Sequence, residues 1–161
     1  MLTLKQKISN LLSIFDPKVV KILTSKKAMI TWKQAFTHKS YDKDFNYEYL
    51  EFLGDSALKN SFDTYLVYNY PEMRNPKYLS EARKFYMAKY YQANLSDKMD
   101  LFPFVKISKK FILTEMKKFD IKEDVFEAFY GALQWNGDMY LNNIGRNLCY
   151  DHLATHLSKI T

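Results

Sequence analysis

The chain has 161 residues, 47% of them hydrophobic and 17% aromatic, which suits one folded domain with a substantial core and excludes a disordered polypeptide. Its formal net charge is +6, and it contains four glycines, four prolines and one cysteine. The single cysteine excludes a disulfide framework and a cysteine-based zinc site within one chain, and it fits a reducing, cytoplasmic compartment. No apolar stretch approaches the roughly 20 residues of a membrane span, and the N-terminal residues lack a signal peptide's features, so we expect no membrane partner.

Few helix-breaking residues and the spacing of hydrophobic residues predict an all-α fold. The predicted helices span residues 4–15, 19–23, 32–36, 46–70, 79–97, 123–134 and 139–157. Asp16-Pro17 ends the first helix, and residues 25–27 are predicted as a basic loop. Asn46 is the expected N-cap of the long fourth helix, which Pro71 ends. Asn136-Gly137 is expected to end the sixth predicted helix, residues 123–134.

The positive charge is concentrated in the first part of the chain. Residues 1–45 contain nine lysines and three acids, whereas the remaining residues contain fifteen charges of each sign. A second basic stretch, residues 106–122, contains six lysines and two acids. Such patches suit a polyanion such as nucleic acid, although charge alone is equally compatible with a solvated, lysine-rich surface.

Acidic residues recur within the otherwise apolar stretch NYEYLEFLGDSAL (46–58). On a helix, Glu48, Glu51 and Asp55 fall within about 60° of one another. Like charges on one stripe repel and destabilise an isolated helix. Gly54 lies among them, where it would let another group approach the backbone closely.

A second acidic pair, Asp124 and Glu127, is three residues apart and therefore lies on one face of the predicted helix 123–134. Carboxylate oxygens are the ligands that hard cations such as Mg²⁺ prefer. Two helices that each present an acidic pair could hold such a cation. Acids at this spacing also occur on ordinary solvated helix faces, and spacing alone does not show that the two pairs meet.

Four motifs together resemble those of the ribonuclease III family, in order and in spacing. They are AFTHKSY (35–41), NYEYLEFLGDSAL (46–58), YLSEAR (78–83) and DVFEAFYGAL (124–133). The similarity covers about residues 30–157, and the stretch EYLEFLGDS is close to the family signature. The resemblance implies an all-α endonuclease domain, a helical bundle that homodimerises and cuts double-stranded RNA with Mg²⁺, for which Mn²⁺ would substitute.

The resemblance also implies roles for individual residues. Those implied as metal ligands are Glu51, Asp55, Asp124 and Glu127, of which Asp55 and Glu127 are also the expected catalytic residues. Glu48 matches a supporting acid, and Phe52 matches an aromatic residue that inserts into the partner subunit. Two features depart from the family pattern: Pro76-Lys77 stand where Glu-Gly is frequent, and Glu123 replaces a usually small residue.

The sequence therefore predicts a Mg²⁺-dependent endoribonuclease that cuts double-stranded RNA and leaves short 3′ overhangs. The residues expected to bind RNA are Lys39, Lys43, Lys109 and Lys110. The alternative is a catalytically silent RNA-binding or scaffold subunit of the same fold, although such relatives typically lose the metal-binding acids.

The expected organisation is a basic helical extension over residues 1–29 and the endonuclease domain over 30–161, with no double-stranded RNA-binding domain in this chain. The composition and residues 23–41 resemble family members from large DNA viruses. Two further inferences concern histidines. His152 and His156 are predicted as exposed residues near a helix end, and His38 with Ser40 as packing and capping residues.

Overall fold

The computed structural model describes residues 1–157, which form eight α-helices and a short 3₁₀ turn. The helices are α1 (Leu4–Leu11), α2 (Pro17–Leu23), α3 (Lys26–Ala35), α4 (Glu48–Asn69), α5 (Pro76–Tyr86), α6 (Lys89–Lys98), α7 (Glu115–Tyr140) and α8 (Gly145–His156). Across this range the only β-type pairing is an isolated bridge between Thr37 and Lys106, so the all-α prediction is confirmed. None of these helices combines the length and apolar character that crossing a membrane requires.

Side-chain caps position the first three helices. The Thr3 hydroxyl and the Gln6 side chain form a capping box at the start of α1, and the Asp16 carboxylate caps α2. The predicted loop at residues 25–27 is wrong, because the Ser25 hydroxyl accepts a hydrogen bond from the Ala28 N–H and the helix begins at Lys26. Two lysines that were expected in a loop therefore lie in the first turn of α3.

The N-terminal helices pack into the same core as the rest of the chain. Ile8, Leu12 and Leu23 are fully buried in it. Helix α3 also runs across the boundary expected at residue 29. The division into an extension and a nuclease domain stays a prediction, and the expected domain end at residue 161 lies outside the described residues.

The two long helices, α4 and α7, form the centre of the bundle. Helix α7 has 26 residues and continues through Asn136-Gly137, so the predicted break there is wrong. Asn136 is buried and donates a hydrogen bond to the Ala28 carbonyl, and α8 crosses so closely that a side chain on Gly137 would meet the Gly145 backbone. These tertiary contacts outweigh the low helix propensity of glycine.

Helices α5 and α6 replace the single helix predicted over residues 79–97. The chain turns at Met87 and Ala88, where no Gly or Pro marks the change. Tyr86 ends α5 as a buried residue, and its ring stacks on that of Phe62 with 5.2 Å between centroids. The helix therefore ends where this ring packs into the core, and the spacing of hydrophobic residues in the sequence does not indicate that contact. Pro76 occupies the first turn of α5, where its missing N–H costs nothing.

The last helix begins at Gly145, six residues later than the start expected at 139, because residues 141–144 turn the chain back. Asn142 and Asn143 adopt positive φ angles of 57° and 65°, a conformation that asparagine tolerates better than most residues. The Asp138 carboxylate accepts a hydrogen bond from the Gly145 N–H at 2.8 Å and so joins the two helices.

His152 lies in the core, so its predicted exposure is wrong. Its Nδ1 accepts a hydrogen bond from the Tyr130 hydroxyl at 2.9 Å, and its Nε2 donates to the Leu11 carbonyl at 2.9 Å. Both ring nitrogens are satisfied by the neutral form, and burial lowers the pKa of His152 to about 3. His156 is half-buried. His152 is therefore a structural link between α1, α7 and α8.

Two glycines set the distance between α4 and α7. A Cβ atom at Gly54 would collide with the carbonyl group of Glu127, and one at Gly131 would collide with that of Leu50. Because the obstacle is backbone in each case, rotation of a side chain cannot relieve it. The backbones of α4 and α7 therefore touch at this crossing, as the position of Gly54 in the sequence suggests.

We expect Gly131→Ala to lower the free energy of unfolding by about 2–4 kcal/mol, because the added methyl group must push two packed helices apart. Gly54→Ala should act in the same direction. Urea denaturation followed by circular dichroism measures both effects. Ser56→Ala, on an exposed position of the same helix, is the control and should change stability by less than about 0.5 kcal/mol. Wild-type stability for Gly131→Ala would show that the helices do not touch here.

Candidate active site

The crossing of α4 and α7 brings the two predicted acidic pairs together. Glu51 and Asp55 come from α4, and Asp124 and Glu127 come from α7. Repulsion between the negative charges follows from this proximity. Asp124 raises the pKa of Glu51, and both Asp55 and Glu51 raise the pKa of Glu127. The structure thus supplies the proximity of the two pairs that spacing alone does not show.

Glu127 is the most deeply buried acid of this cluster, with an exposed fraction of 9%. Burial, followed by repulsion from Glu123, raises its pKa to about 9. Its carboxylate has no hydrogen-bond partner among residues 1–157. Glu51 shows the same effect to a smaller degree, since burial and then Asp124 raise its pKa to about 7. The cluster therefore lacks positive charge at its centre.

Asp124 is held by Tyr47, a residue that sequence reasoning missed. The buried Tyr47 hydroxyl donates a hydrogen bond to Asp124 Oδ2 at 2.8 Å. Burial raises the pKa of Asp124, while this hydrogen bond acts in the opposite direction. Tyr47 immediately precedes α4, so the same helix start positions both the tyrosine and the Glu48 side chain. Nothing in the local sequence pattern indicates the long-range pairing.

Positive side chains occupy the edges of the acid cluster. Glu48 forms an ion pair with Lys39 at 2.9 Å, and Asp55 lies 3.7 Å from Lys59. Lys89 was also missed by the sequence analysis. Its ammonium group lies 3.2 Å from Glu123, whose side chain is 12% exposed, and 3.0 Å from Asp120. Lys89 therefore counters the extra acid, Glu123, that departs from the family pattern.

The donor set of the cluster suits a hard divalent cation. The four predicted ligands, Glu51, Asp55, Asp124 and Glu127, offer only carboxylate oxygens, which Mg²⁺ and Mn²⁺ accept readily. A cation would also relieve the repulsion that raises the pKa values of the buried acids. Within residues 1–157, no three His, Cys, Asp or Glu side chains form a ready-made coordination set. The site is thus a group of facing carboxylates whose chemistry fits the metal.

Phe52 lies beside the acids with its side chain directed to solvent, at an exposed fraction of 82%. Tyr49, one turn earlier on the same stripe of α4, is also exposed, and its ring meets the edge of Trp135 at 6.2 Å between centroids. A cavity of about 320 Å³ opens here, lined in part by Ile30, Tyr49 and Trp135. This face combines a protruding aromatic ring with an adjacent recess whose wall contains both apolar and polar side chains.

The lysines predicted to bind RNA are exposed, and backbone pairing brings their two segments together. The His38 N–H donates to the Lys106 carbonyl at 2.9 Å, and the Lys106 N–H donates to the Phe36 carbonyl at 2.8 Å. Lys39 and Lys43 follow the first of these segments, and Lys109 and Lys110 follow the second. Because Lys39 also pairs with Glu48, the joined basic segments border the acid cluster.

Comparison with known proteins identifies a family. A model of the Ribonuclease III domain matches residues 48–138. A ribonuclease 3-like protein of Invertebrate iridescent virus 6 is 30% identical over 144 residues, which is 87% of this chain and 49% of that protein. Ribonuclease 3 of Aquifex aeolicus is 36% identical over 101 residues, which is 63% of this chain and 43% of that protein. The chain thus spans less than half the length of these relatives.

A solved structure shows the same fold. The nuclease domain of ribonuclease III from Campylobacter jejuni superposes with a TM-score of 0.72 at 23% sequence identity, and the match covers 94% of each chain. A second structure of that domain gives a TM-score of 0.69. The predicted helical bundle of this family is therefore confirmed.

The charge on Glu127 is expected to destabilise the metal-free fold. Its pKa is about 9, against an ordinary value of 4.5, so between these values the folded state holds more protons and loses stability as the pH rises. Glu127→Gln cannot ionise. Its free energy of unfolding should exceed that of the wild type by about 1–3 kcal/mol near pH 8 and by little near pH 4.5. Urea denaturation at several pH values measures this difference.

Glu81→Gln is the matched control, because Glu81 is exposed on α5 and its replacement should have no such pH dependence. Mg²⁺ should stabilise the wild type more than Glu127→Gln and so reduce the difference. Equal stability of wild type and Glu127→Gln across the pH range would mean that Glu127 is not surrounded by other negative charges.

Proposed function

This chain belongs to the ribonuclease III family, and we propose that it is a Mg²⁺-dependent endoribonuclease that hydrolyses phosphodiester bonds in double-stranded RNA. We further propose that it acts as a homodimer and leaves short 3′ overhangs. The observation that carries the proposal is the proximity of four carboxylates at the α4–α7 crossing, where their negative charges repel one another. Relatives of this chain are named as ribonucleases 3.

The residues proposed to hold the cation are Glu51, Asp55, Asp124 and Glu127. A divalent cation bound there would lower the pKa of a coordinated water and stabilise negative charge on the scissile phosphate. Tyr47 holds one oxygen of Asp124 and so orients the other. The depth of Glu127 keeps its carboxylate away from bulk solvent and available to a cation. Asp55 and Glu127, one from each long helix, are the proposed catalytic residues.

The alternative, a catalytically silent subunit, is less well supported. A silent relative has no need to bury repelling carboxylates that lower its stability. All four acids are present, and burial raises the pKa values of three of them, Glu51, Asp124 and Glu127. The arrangement has a physical cost that metal-dependent catalysis would explain.

Duplex RNA is the proposed substrate because cations border the acid cluster. The proposed contacts are Lys39, Lys43, Lys109 and Lys110, on the two segments that pair through Lys106. Lysines neutralise phosphates without reading bases, which suits recognition of an A-form duplex by shape, phosphates and 2′-hydroxyl groups. Binding of this kind weakens steeply as salt concentration rises.

The proposed homodimer uses the aromatic face around Phe52. An exposed ring of this size in contact with solvent is typical of an interface anchor. The adjacent cavity, whose wall includes Ile30, Tyr49 and Trp135, offers a partly apolar recess that a second copy's Phe52 would fill. One Campylobacter jejuni structure is described in terms of a region involved in dimer formation of its nuclease domain. Two copies would place two acid clusters on one duplex and produce staggered cuts.

Glu127→Gln should lower the rate of duplex RNA cleavage by at least about a hundredfold, because it keeps the side chain's shape but removes a charged ligand and catalytic group. Duplex binding should largely persist. Cleavage of a long RNA duplex in Mg²⁺, followed by gel electrophoresis, measures the rate. Ca²⁺ should support binding with little cutting, since its looser coordination positions water poorly.

Glu81→Gln again serves as the control and should cut at the wild-type rate. A wild type that binds duplex RNA in Mg²⁺ but never cuts it would favour the silent alternative. Cleavage by Glu127→Gln at nearly the wild-type rate would show that the metal-site assignment is wrong.

Phe52→Ala should weaken the homodimer by about 2 kcal/mol or more, which raises its dissociation constant roughly thirtyfold, because a central aromatic anchor is lost. Sedimentation over a concentration series measures the constant. Phe85→Ala removes an exposed ring on α5 and should leave the dimer unchanged. A wild-type chain that stays monomeric at micromolar concentrations would contradict both the anchor and the proposal of paired cuts.

A further inference from the structure

A cavity of about 330 Å³ opens next to the acid cluster. It lies between the segment that follows α3 and the N-terminal half of α7, and Asp124 and Glu48 form part of its wall. A substrate strand whose phosphate reaches the four acids would therefore have a neighbouring nucleotide at this cavity. His38 is one of the buried residues in the wall, with an exposed fraction of 5%.

Hydrogen bonds fix the proton on the His38 ring. Its Nδ1 accepts from the Ser40 N–H at 3.1 Å and lies 2.7 Å from Ser40 Oγ. That hydroxyl oxygen accepts from the Ser108 N–H, so its own proton is free to be donated to Nδ1. Burial lowers the pKa of His38, and a nitrogen that accepts these hydrogen bonds has no proton of its own, so the ring is neutral. The neutral ring therefore has its proton on Nε2.

The Nε2–H group of His38 is a donor without a hydrogen-bond partner among residues 1–157. The ring is held in place from two sides, by Phe111 at 4.7 Å and Tyr47 at 5.7 Å between ring centroids. Such a group is fixed in direction before a ligand arrives, which lowers the cost of binding. The group reaches the cavity without an acceptor in the described part of the chain, so it is available to a ligand atom that accepts a hydrogen bond.

The other wall residues define the kind of ligand. Lys39 and Lys117 supply two positive charges. Three carboxylates also line the cavity: Glu48, Asp120 and Asp124. Negative charge thus exceeds positive charge, which disfavours an isolated anion, while Phe111 and Ile121 add apolar surface. A neutral group fits best if it has hydroxyls that both donate and accept and a face of C–H groups, as a sugar does.

We propose that this cavity binds a ribose of the RNA strand beside the scissile phosphate, with His38 Nε2–H donating a hydrogen bond to the 2′-hydroxyl. The inference rests on the proposed function, since it assumes an RNA strand at the acid cluster. Deoxyribose lacks the acceptor, so this hydrogen bond would be lost in the complex, which costs binding free energy. The cavity would then make the protein select RNA over DNA at one nucleotide.

The test measures binding rather than cleavage. A short RNA duplex and a series of duplexes with a single ribose replaced by deoxyribose are titrated in Ca²⁺ against the wild type, His38→Asn and His156→Asn. Asparagine keeps an acceptor near the Nδ1 position but has no donor that reaches the Nε2 position. His156→Asn makes the same change at a half-buried histidine that does not line the cavity.

For the wild type, one substituted position should weaken binding by about five- to tenfold. His38→Asn should bind the all-RNA duplex more weakly by a similar factor and respond less than twofold to the same substitution, since the interaction is already lost. His156→Asn should respond like the wild type. His38→Gln, whose longer amide reaches towards the Nε2 position, should recover part of the response, and thermal denaturation shows that each variant is folded.

A wild type that binds every substituted duplex equally well would overturn the proposal, as would an equal response in wild type and His38→Asn. Either result leaves the nuclease function intact. Absence of any binding to duplex RNA by the wild type would instead overturn the proposed function together with the ribose site. The two failures are therefore distinguishable.

Discussion

The contact between α4 and α7 at Gly54 and Gly131 is the constraint on which the rest of the structure depends. Any larger residue at either position would meet backbone atoms of the opposite helix, so the close approach is available only to glycine. The approach places the side chains next to the glycines, Asp55 on one helix and Glu127 on the other, in each other's electrostatic field. A packing feature thus determines the geometry of a chemical site.

Bringing these carboxylates together costs electrostatic free energy. Neighbouring side chains reduce the repulsion at the edges of the acid cluster, but none in residues 1–157 does so at its centre. Tyr47 stabilises Asp124 by a hydrogen bond, and Lys89 forms ion pairs with Asp120 and Glu123. Glu127 has neither kind of partner within the described residues and shows the largest increase in pKa among these acids. The negative charge without a partner therefore lies where a cation would be bound. Such a loss of stability at a site is expected when the site's activity requires it.

The sequence predicted the helical fold, the family and the residues of the acid cluster, because these follow from periodicity and from short motifs. It did not predict features that depend on contacts between distant residues. Gly137 lies within α7, and α8 packs so closely against it that a larger residue would meet the Gly145 backbone. His152 is buried, and Tyr130 and Leu11 form hydrogen bonds with its two ring nitrogens. Lys89 on α6 forms an ion pair with Glu123 on α7. Propensity and spacing report local preferences, whereas each of these outcomes is decided by a partner far away in the chain.

The pairing of Thr37 with Lys106 places positive charge beside the acid cluster. It joins the two lysine-rich segments beside the start of α4, so that positive charge lies next to the carboxylates without neutralising the most buried of them. The lysines would attract the phosphate backbone over a distance set by the ionic strength. Repulsion by the acids acts at short range and would be removed only by a bound cation. RNA binding and metal binding would therefore support each other at this site, because each reduces the charge that opposes the other.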